Sequence, residues 1–207
     1  PAGIPVRQGR LRTVENALPH CLGRSPRDDA MRPRAVHRLD VRTSGLLLVA
    51  RTASADVALG HAFADRTIQK QYRAIVRGRL EGEGVVERPI EDRAASTRWT
   101  AALHTRSLHC EWTTTLDLFP LTGRTHQLRI HCAGLGYPVL GDDLHTRGGR
   151  VLRAAGLFLF AAGLTFPHPR TGDSVHVTAP EPAKFVAYRA RETRRWDTYH
   201  GPNAEQS

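Results

Sequence analysis

His37-Arg38-Leu39-Asp40-Val41-Arg42-Thr43-Ser44-Gly45 runs directly into Leu46-Leu47-Leu48-Val49-Ala50. An apolar run this short, closed off by Gly45 and Arg51, suits a buried strand. It falls far short of the roughly 20 residues a membrane-spanning helix needs. The polar segment before it has the composition of a turn. Asp40 therefore sits on a loop anchored by a core strand, where reactive groups are often placed. Arg38, Arg42 and His37 beside it favour the charged carboxylate, which can attack a carbon or accept a proton. The same residues also describe an aspartate in a surface ion pair or capping a turn, and taken alone they describe that more often.

The chain has 207 residues, enough for one sizeable core or two lobes sharing a sheet. Its 40% hydrophobic and 24% charged residues are those of a globular protein, not a disordered one. Lys and Arg number 30 against 20 Asp and Glu, a net charge of +10. Such an excess suits a polyanion, because each neutralised phosphate releases counterions. Lys70 and Lys184 are the only lysines, so arginine carries nearly all of it. Guanidinium groups pair bidentately with phosphates and stack on bases, although an arginine-rich genome gives the same count. No basic amphipathic stretch with a broad apolar face stands out, so nothing points to a membrane. Cys21, Cys110 and Cys132 are odd in number and widely spaced, which argues against a disulfide framework and against a metal site. A reducing compartment follows: the cytoplasm, or an organellar matrix if a targeting segment was removed.

Along the chain, Pro1-Ala2-Gly3-Ile4-Pro5-Val6 is too rich in Pro and Gly for a helix, and residues 7–36 are basic and irregular around a short helix at Val14–Leu22. Thr52 or Ser54 caps a helix running to about Arg66, with Val57, Leu59, Phe63 and Ala64 as its apolar face. Gln69–Gly78 alternates as a half-buried strand, with Tyr72, Ala74 and Val76 on one side. A strand near Val85–Ile90 precedes a variable loop, and Trp112–Leu118 forms another strand. Thr125 is the expected N-cap of a three-turn helix stopped by Gly134 or Gly136, with a turn at Pro138–Asp142. One or two buried strands lie around Gly163, a last strand spans Asp173–Thr178, and a helix runs from Pro182 to about Trp196. Residues 1–196 thus read as one α+β domain, followed by a frayed tail over 197–207.

Four stretches, in order, resemble one family. Pro-Ala-Gly opens the chain, His-Arg-Leu-Asp-x-x-Thr-Ser-Gly carries Asp40, and Lys-x-Tyr-x-Ala-x-Val-x-Gly carries Tyr72. Gly-Arg-Thr-His-Gln-Leu-Arg-x-His then carries Arg129, with Pro-x-Leu-Gly-Asp soon after. Together they resemble the RluA-type pseudouridine synthases. The resemblance implies an α+β catalytic domain on a mixed, largely antiparallel sheet with flanking helices and a central cleft. It also implies a strand and a lysine ahead of Pro-Ala-Gly, which this chain lacks.

The implied activity is isomerisation of a uridine in structured RNA, ribosomal or transfer, to its C5-linked glycoside, with neither metal nor organic cofactor. Asp40 would be the nucleophile, attacking either the sugar or C6 of the base. Arg129 would pair with Asp40 and orient it. Tyr72 would lie against the base with its hydroxyl available for the C5 proton. The detached base must rotate inside a closed, dry pocket. Arg38 would fill the gap left by the extruded nucleotide or contact phosphate. Arg42, Thr43, Arg124, His126, Gln127 and Leu159 complete the RNA-binding set with His37. His37, His126, His131 and Gln127 read as loop-holding groups, not proton carriers. Phe160 stands where the family usually has histidine. RNA is the only partner implied, for a monomeric enzyme.

Two other readings use the same residues. One is an RNA-binding or RNA-folding module without activity, against which the retained Asp40, Tyr72 and Arg129 count. The other is a nucleoside-cleaving hydrolase, which would release free base.

Overall fold

The computed structural model describes residues 14–146 and 156–201. The expected opening turn over Pro1–Val6 and the end of the tail lie outside the described residues. In chain order the elements are α1 (Val14–Cys21), β1 (Ala30–Ala35), β2 (Ser44–Gly45), β3 (Val49–Thr52) and α2 (Ala53–Ala64). β4 (Gln69–Arg77), β5 (Glu83–Glu87), β6 (Ser96–Ser107), β7 (Glu111–Pro120) and α3 (Gln127–Gly134) follow. β8 (Leu159–Pro167), β9 (Ser174–Thr178) and α4 (Ala183–His200) complete the fold. An α+β architecture is what the sequence predicts. The chain divides into two compact units, Pro1–Lys70 with Ala161–Ala179 and Gln71–Phe160 with Pro180–Ser207. It crosses between them three times, inside β4, inside β8 and between β9 and α4, and the first two crossings carry no linker composition.

In the first unit β1 and β3 form an antiparallel ribbon, with Arg34 opposite Ala50 and Ala35 opposite Val49. Thr52 ends the ribbon and starts α2: its Oγ1 accepts from Ala55 N at 3.2 Å, satisfying one of the helix's orphan donors. α2 turns Leu59 and Ala62 inward and leaves Val57 58% exposed, so the buried stripe differs from the expected one. Ala62, Ile68 and Leu164 form a small core with Leu46, Leu48, Phe63 and Phe166 around it. β8 pairs with β9 in antiparallel register, Leu164 opposite Val177.

The expected continuous strand over Leu46–Ala50 is instead two pieces. Leu46 N donates to Ala161 O on β8 at 3.0 Å, while Val49 and Ala50 pair with β1. The run changes partners at Leu47 and Leu48, so it cannot be one straight strand.

In the second unit four antiparallel strands lie in the order β4-β7-β6-β5. Tyr72 faces Leu118 and Ala74 faces Leu116 across β4 and β7. Ala74, Val76, Trp99, Leu116, Leu118, Leu128, Cys132, Val139, Leu157 and Leu159 form the main core. β4 is buried on both sides at Ala74, Ile75 and Val76, so it is more enclosed than its alternation suggested. β6 occupies most of what the sequence reads as a variable loop. Pro138–Leu140 is likewise not a plain turn: Arg77 N donates to Pro138 O, and Leu140 N to Ile75 O, extending the sheet beside β4. β8 is one strand. α4 runs four residues past Trp196 to His200 and packs through Phe185, Tyr188 and Glu192, with the Glu192 carboxylate accepting from Ser107 Oγ at 2.7 Å.

Candidate active site

Asp40 lies in the first unit, half-buried, on the segment between β1 and β2. Its carbonyl accepts from Thr43 N at 2.9 Å, so Asp40 is the first residue of a four-residue turn. The segment is held at both ends. On the entering side Val36 N donates to Leu48 O at 3.1 Å, and His37 Nε2 accepts from Leu48 N at 2.9 Å. On the leaving side Gly45 has φ +116°, and a Cβ there would come within 2.2 Å of Ala161 O. Glycine alone lets the chain lie this close to β8. A loop so tethered holds the Asp40 backbone in place.

The His37 ring packs against Phe63 at a 34° tilt with centroids 5.0 Å apart, and burial pushes its pKa down to about 4. Its Nε2 accepts a hydrogen bond, which requires a lone pair there. His37 is therefore neutral at pH 7, a correction to the expected positive charge beside Asp40. Arg38 is exposed, and Arg42 and Thr43 are half-buried. Thr43 Oγ1 is buried and has no hydrogen-bond partner among the described residues.

Tyr72, in the second unit, lies half-buried on β4 and packs against the main core. Arg129 lies on α3 in the same unit and is 3% exposed. The helix starts one residue later than expected: His126, not Thr125, is the N-cap, in left-handed conformation (φ 53°) with no side-chain cap. The missing cap is offset by Gln127. Its Oε1 accepts from Thr122 Oγ1 at 2.7 Å and from Arg124 N at 2.9 Å, and its Nε2 donates to Ser96 O and Thr97 Oγ1. All four amide positions of Gln127 are used inside the protein, so it braces the helix entry and is not an RNA contact. Leu159, 2% exposed, likewise belongs to the main core and is not exposed to solvent. Arg124 is half-buried with Nε donating to Ala94 O, and the His126 and His145 rings share a hydrogen bond of 3.1 Å. His131 is buried between Thr97 Oγ1 and Arg88 O, and burial lowers its pKa. A carbonyl only accepts, so Nε2 carries the proton and the ring is a neutral brace.

The sequence reading missed Asp142. Arg129 Nε and Nη2 donate to Asp142 Oδ2 and Oδ1 at 2.9 and 2.6 Å, and the carboxylate also accepts from Leu144 N and His145 N. Burial pushes this carboxyl up, but the Arg129 guanidinium and the two backbone donors outweigh it and leave the pKa below its ordinary value. Such a two-pronged pair fixes the guanidinium plane. Its signal was the Gly141-Asp142 end of the Pro-x-Leu-Gly-Asp segment, read only as a turn. Among the described residues no three His, Cys, Asp or Glu side chains converge as a metal site would require.

The chain is similar to several known proteins. Residues 1–134 match the family model for RNA pseudouridylate synthase. The ribosomal large subunit pseudouridine synthase D of Vibrio parahaemolyticus is 38% identical over 213 aligned residues, covering 90% of this chain and 62% of that protein. The ribosomal large subunit pseudouridine synthase C of Pasteurella multocida is 33% identical over 204, covering 87% and 60%. The chain thus spans about 60% of the length of such relatives. Among solved structures, human RNA pseudouridylate synthase domain containing 1 superposes with a TM-score of 0.70 at 29% identity, covering 82% of this chain and 74% of that one. Human RNA pseudouridylate synthase domain containing 4 shares the fold, with a TM-score of 0.69 at 22% identity, covering 94% and 87%. A family match across 134 of 207 residues, and relatives 33% and 38% identical over the aligned stretch, agree with the motif order. The chain belongs to the RNA pseudouridylate synthase family, in its RluA-type branch.

Proposed function

We propose that the chain converts a uridine in structured RNA to pseudouridine, with Asp40 as nucleophile. The reaction breaks the C1′–N1 bond, turns the freed base, and closes a C1′–C5 bond. The C5 proton leaves and N1 gains one, so the atoms balance without a redox partner. A carboxylate is suited to the first step because it can attack either the sugar or the ring. Arg129 pairs with Asp40 while Asp142 holds the guanidinium plane, and Tyr72 lies against the base with its hydroxyl near the departing proton. Arg38, Arg42, Thr43, Arg124 and His126 contact the RNA around the target, and Arg38 takes the place of the extruded nucleotide.

One observation carries this reading: Asp40 heads a turn tethered on one side through Leu48 and on the other through Ala161. Catalysis by positioning needs that restraint, whereas an aspartate in a surface ion pair does not. Ribosomal RNA is the substrate favoured, since the named relatives are ribosomal large subunit pseudouridine synthases. The test is pseudouridine mapping of ribosomal and transfer RNA incubated with and without the protein. New pseudouridine at a defined position in ribosomal RNA supports the proposal. Binding with no new pseudouridine would instead mean an inactive RNA-binding module, and released uracil a hydrolase.

A further inference from the structure

A ladder of guanidinium groups and rings runs through β6, β7 and α4 of the second unit, outside the residues assigned above. The Arg106 guanidinium lies 3.8 Å from the Trp112 ring centroid and 4.9 Å from that of Trp196. Arg79 adds a second guanidinium 4.7 Å from Trp112. Trp196 in turn stacks on His200, with centroids 3.9 Å apart and planes 18° from parallel. Arg106 Nε is buried with no hydrogen-bond partner among the described residues, so at that atom it is the neighbouring rings, not a carboxylate, that attend the guanidinium.

The outer end of the ladder faces solvent. His200 is exposed, and Tyr199 beside it is 77% exposed. α4 also exposes Arg191, Arg194 and Arg195. Glu192, which lies 3.5 Å from Arg191 and 3.6 Å from Arg195, is itself buried and bonded to Ser107, so it presents no negative face to solvent. Asp197 and Glu111 are the exposed carboxylates on these three elements. Packing of α4 onto the sheet accounts for Arg106 and Trp112. It does not account for the exposed outer face of His200, whose ring stacks on the half-buried Trp196 one helical turn back, with its Nδ1 3.2 Å from Trp196 O, and is flanked by arginines.

We propose that this edge is a stacking platform for an unpaired stretch of RNA. A base adds to the outer face of His200 and extends the Trp196–His200 stack, while Arg194 and Arg195 take the flanking phosphates. Every base has a flat face, so the platform reads strandedness rather than sequence. The proposal rests on the RNA reading above and extends it to nucleotides beyond the target uridine. An acidic protein segment would use the charge but leave the rings idle.

The test uses the full chain and a fluorescently labelled single-stranded oligoadenylate, which contains no uridine and so binds whether or not the protein is an isomerase. Wild-type protein should bind it with quenching of tryptophan fluorescence, and more tightly than a fully paired duplex of equal length. His200→Ala should weaken oligoadenylate about fivefold or more while leaving a polyphosphate chain of matched charge unaffected. Trp196→Phe should keep the affinity and lose most of the quenching. Asp40→Asn, which tests the isomerase reading, should bind oligoadenylate as the wild type does. The exposed ring of His200 is dispensable for folding, and unchanged thermal melting of His200→Ala checks this. Equal oligoadenylate affinity for wild type and His200→Ala, or equal loss for polyphosphate, would overturn the stacking platform.

Discussion

Arg129 and Asp142 form a two-pronged ion pair at 2.9 and 2.6 Å, with Arg129 3% and Asp142 1% exposed. Both charges have left water, and each is compensated mainly by the other. Removing one partner from such a pair costs about 3–5 kcal/mol, because the survivor is left charged and buried. Asp142→Asn should therefore lose about 3 kcal/mol in urea unfolding at pH 7. The folded carboxyl titrates below its ordinary value of 3.8, so its contribution is present above that value and is lost as pH falls through the folded one. The deficit of the variant should accordingly shrink below about pH 4. A deficit independent of pH would show that the ion pair is not what stabilises this corner.

His37 sets a second pH window. Its folded pKa is near 4 against an ordinary 6.5, so the unfolded chain takes up a proton first as pH falls. Its contribution to stability is complete above 6.5 and is lost between 6.5 and about 4. His131 is shifted in the same direction and adds its own slope. His37→Gln should make the decline in melting temperature over this range shallower than in the wild type. An NMR titration of the His37 ring with a midpoint near 6.5 would contradict the buried, accepting imidazole.

Gly45→Ala tests the tether on the other side of Asp40. The backbone there has φ +116°, and the added methyl would lie 2.2 Å from a carbonyl oxygen that cannot swing aside. The substitution should lower stability by about 2 kcal/mol or more, and it should reduce pseudouridine formation beyond what that loss explains. A variant with wild-type stability and activity would mean that the Asp40 segment is not held by β8.

Much of this was legible from local pattern. Thr52 caps α2 because a β-region threonine before a helical run is a local signal. β6 was invisible for a physical reason: its buried positions include Thr97, Thr105 and Ser107, so the alternation is not one of hydrophobicity. The division of Leu46–Ala50 between two partners depends on Ala161, more than a hundred residues away. The late start of α3 follows from the amide network of Gln127, which gathers Ser96, Thr97 and Thr122. Asp40, Tyr72 and Arg129 stood out through family motifs. Asp142 did not, because an ion pair 13 residues apart across a glycine turn leaves no periodic trace.

The nucleophile is tested most directly by Asp40→Asn, assayed by pseudouridine mapping on the RNA that the wild type modifies. Losing one negative charge from a protein of net charge +10 should leave RNA affinity within a few-fold. The account requires RNA bound with no pseudouridine formed. Pseudouridine appearing at the wild-type rate would contradict it.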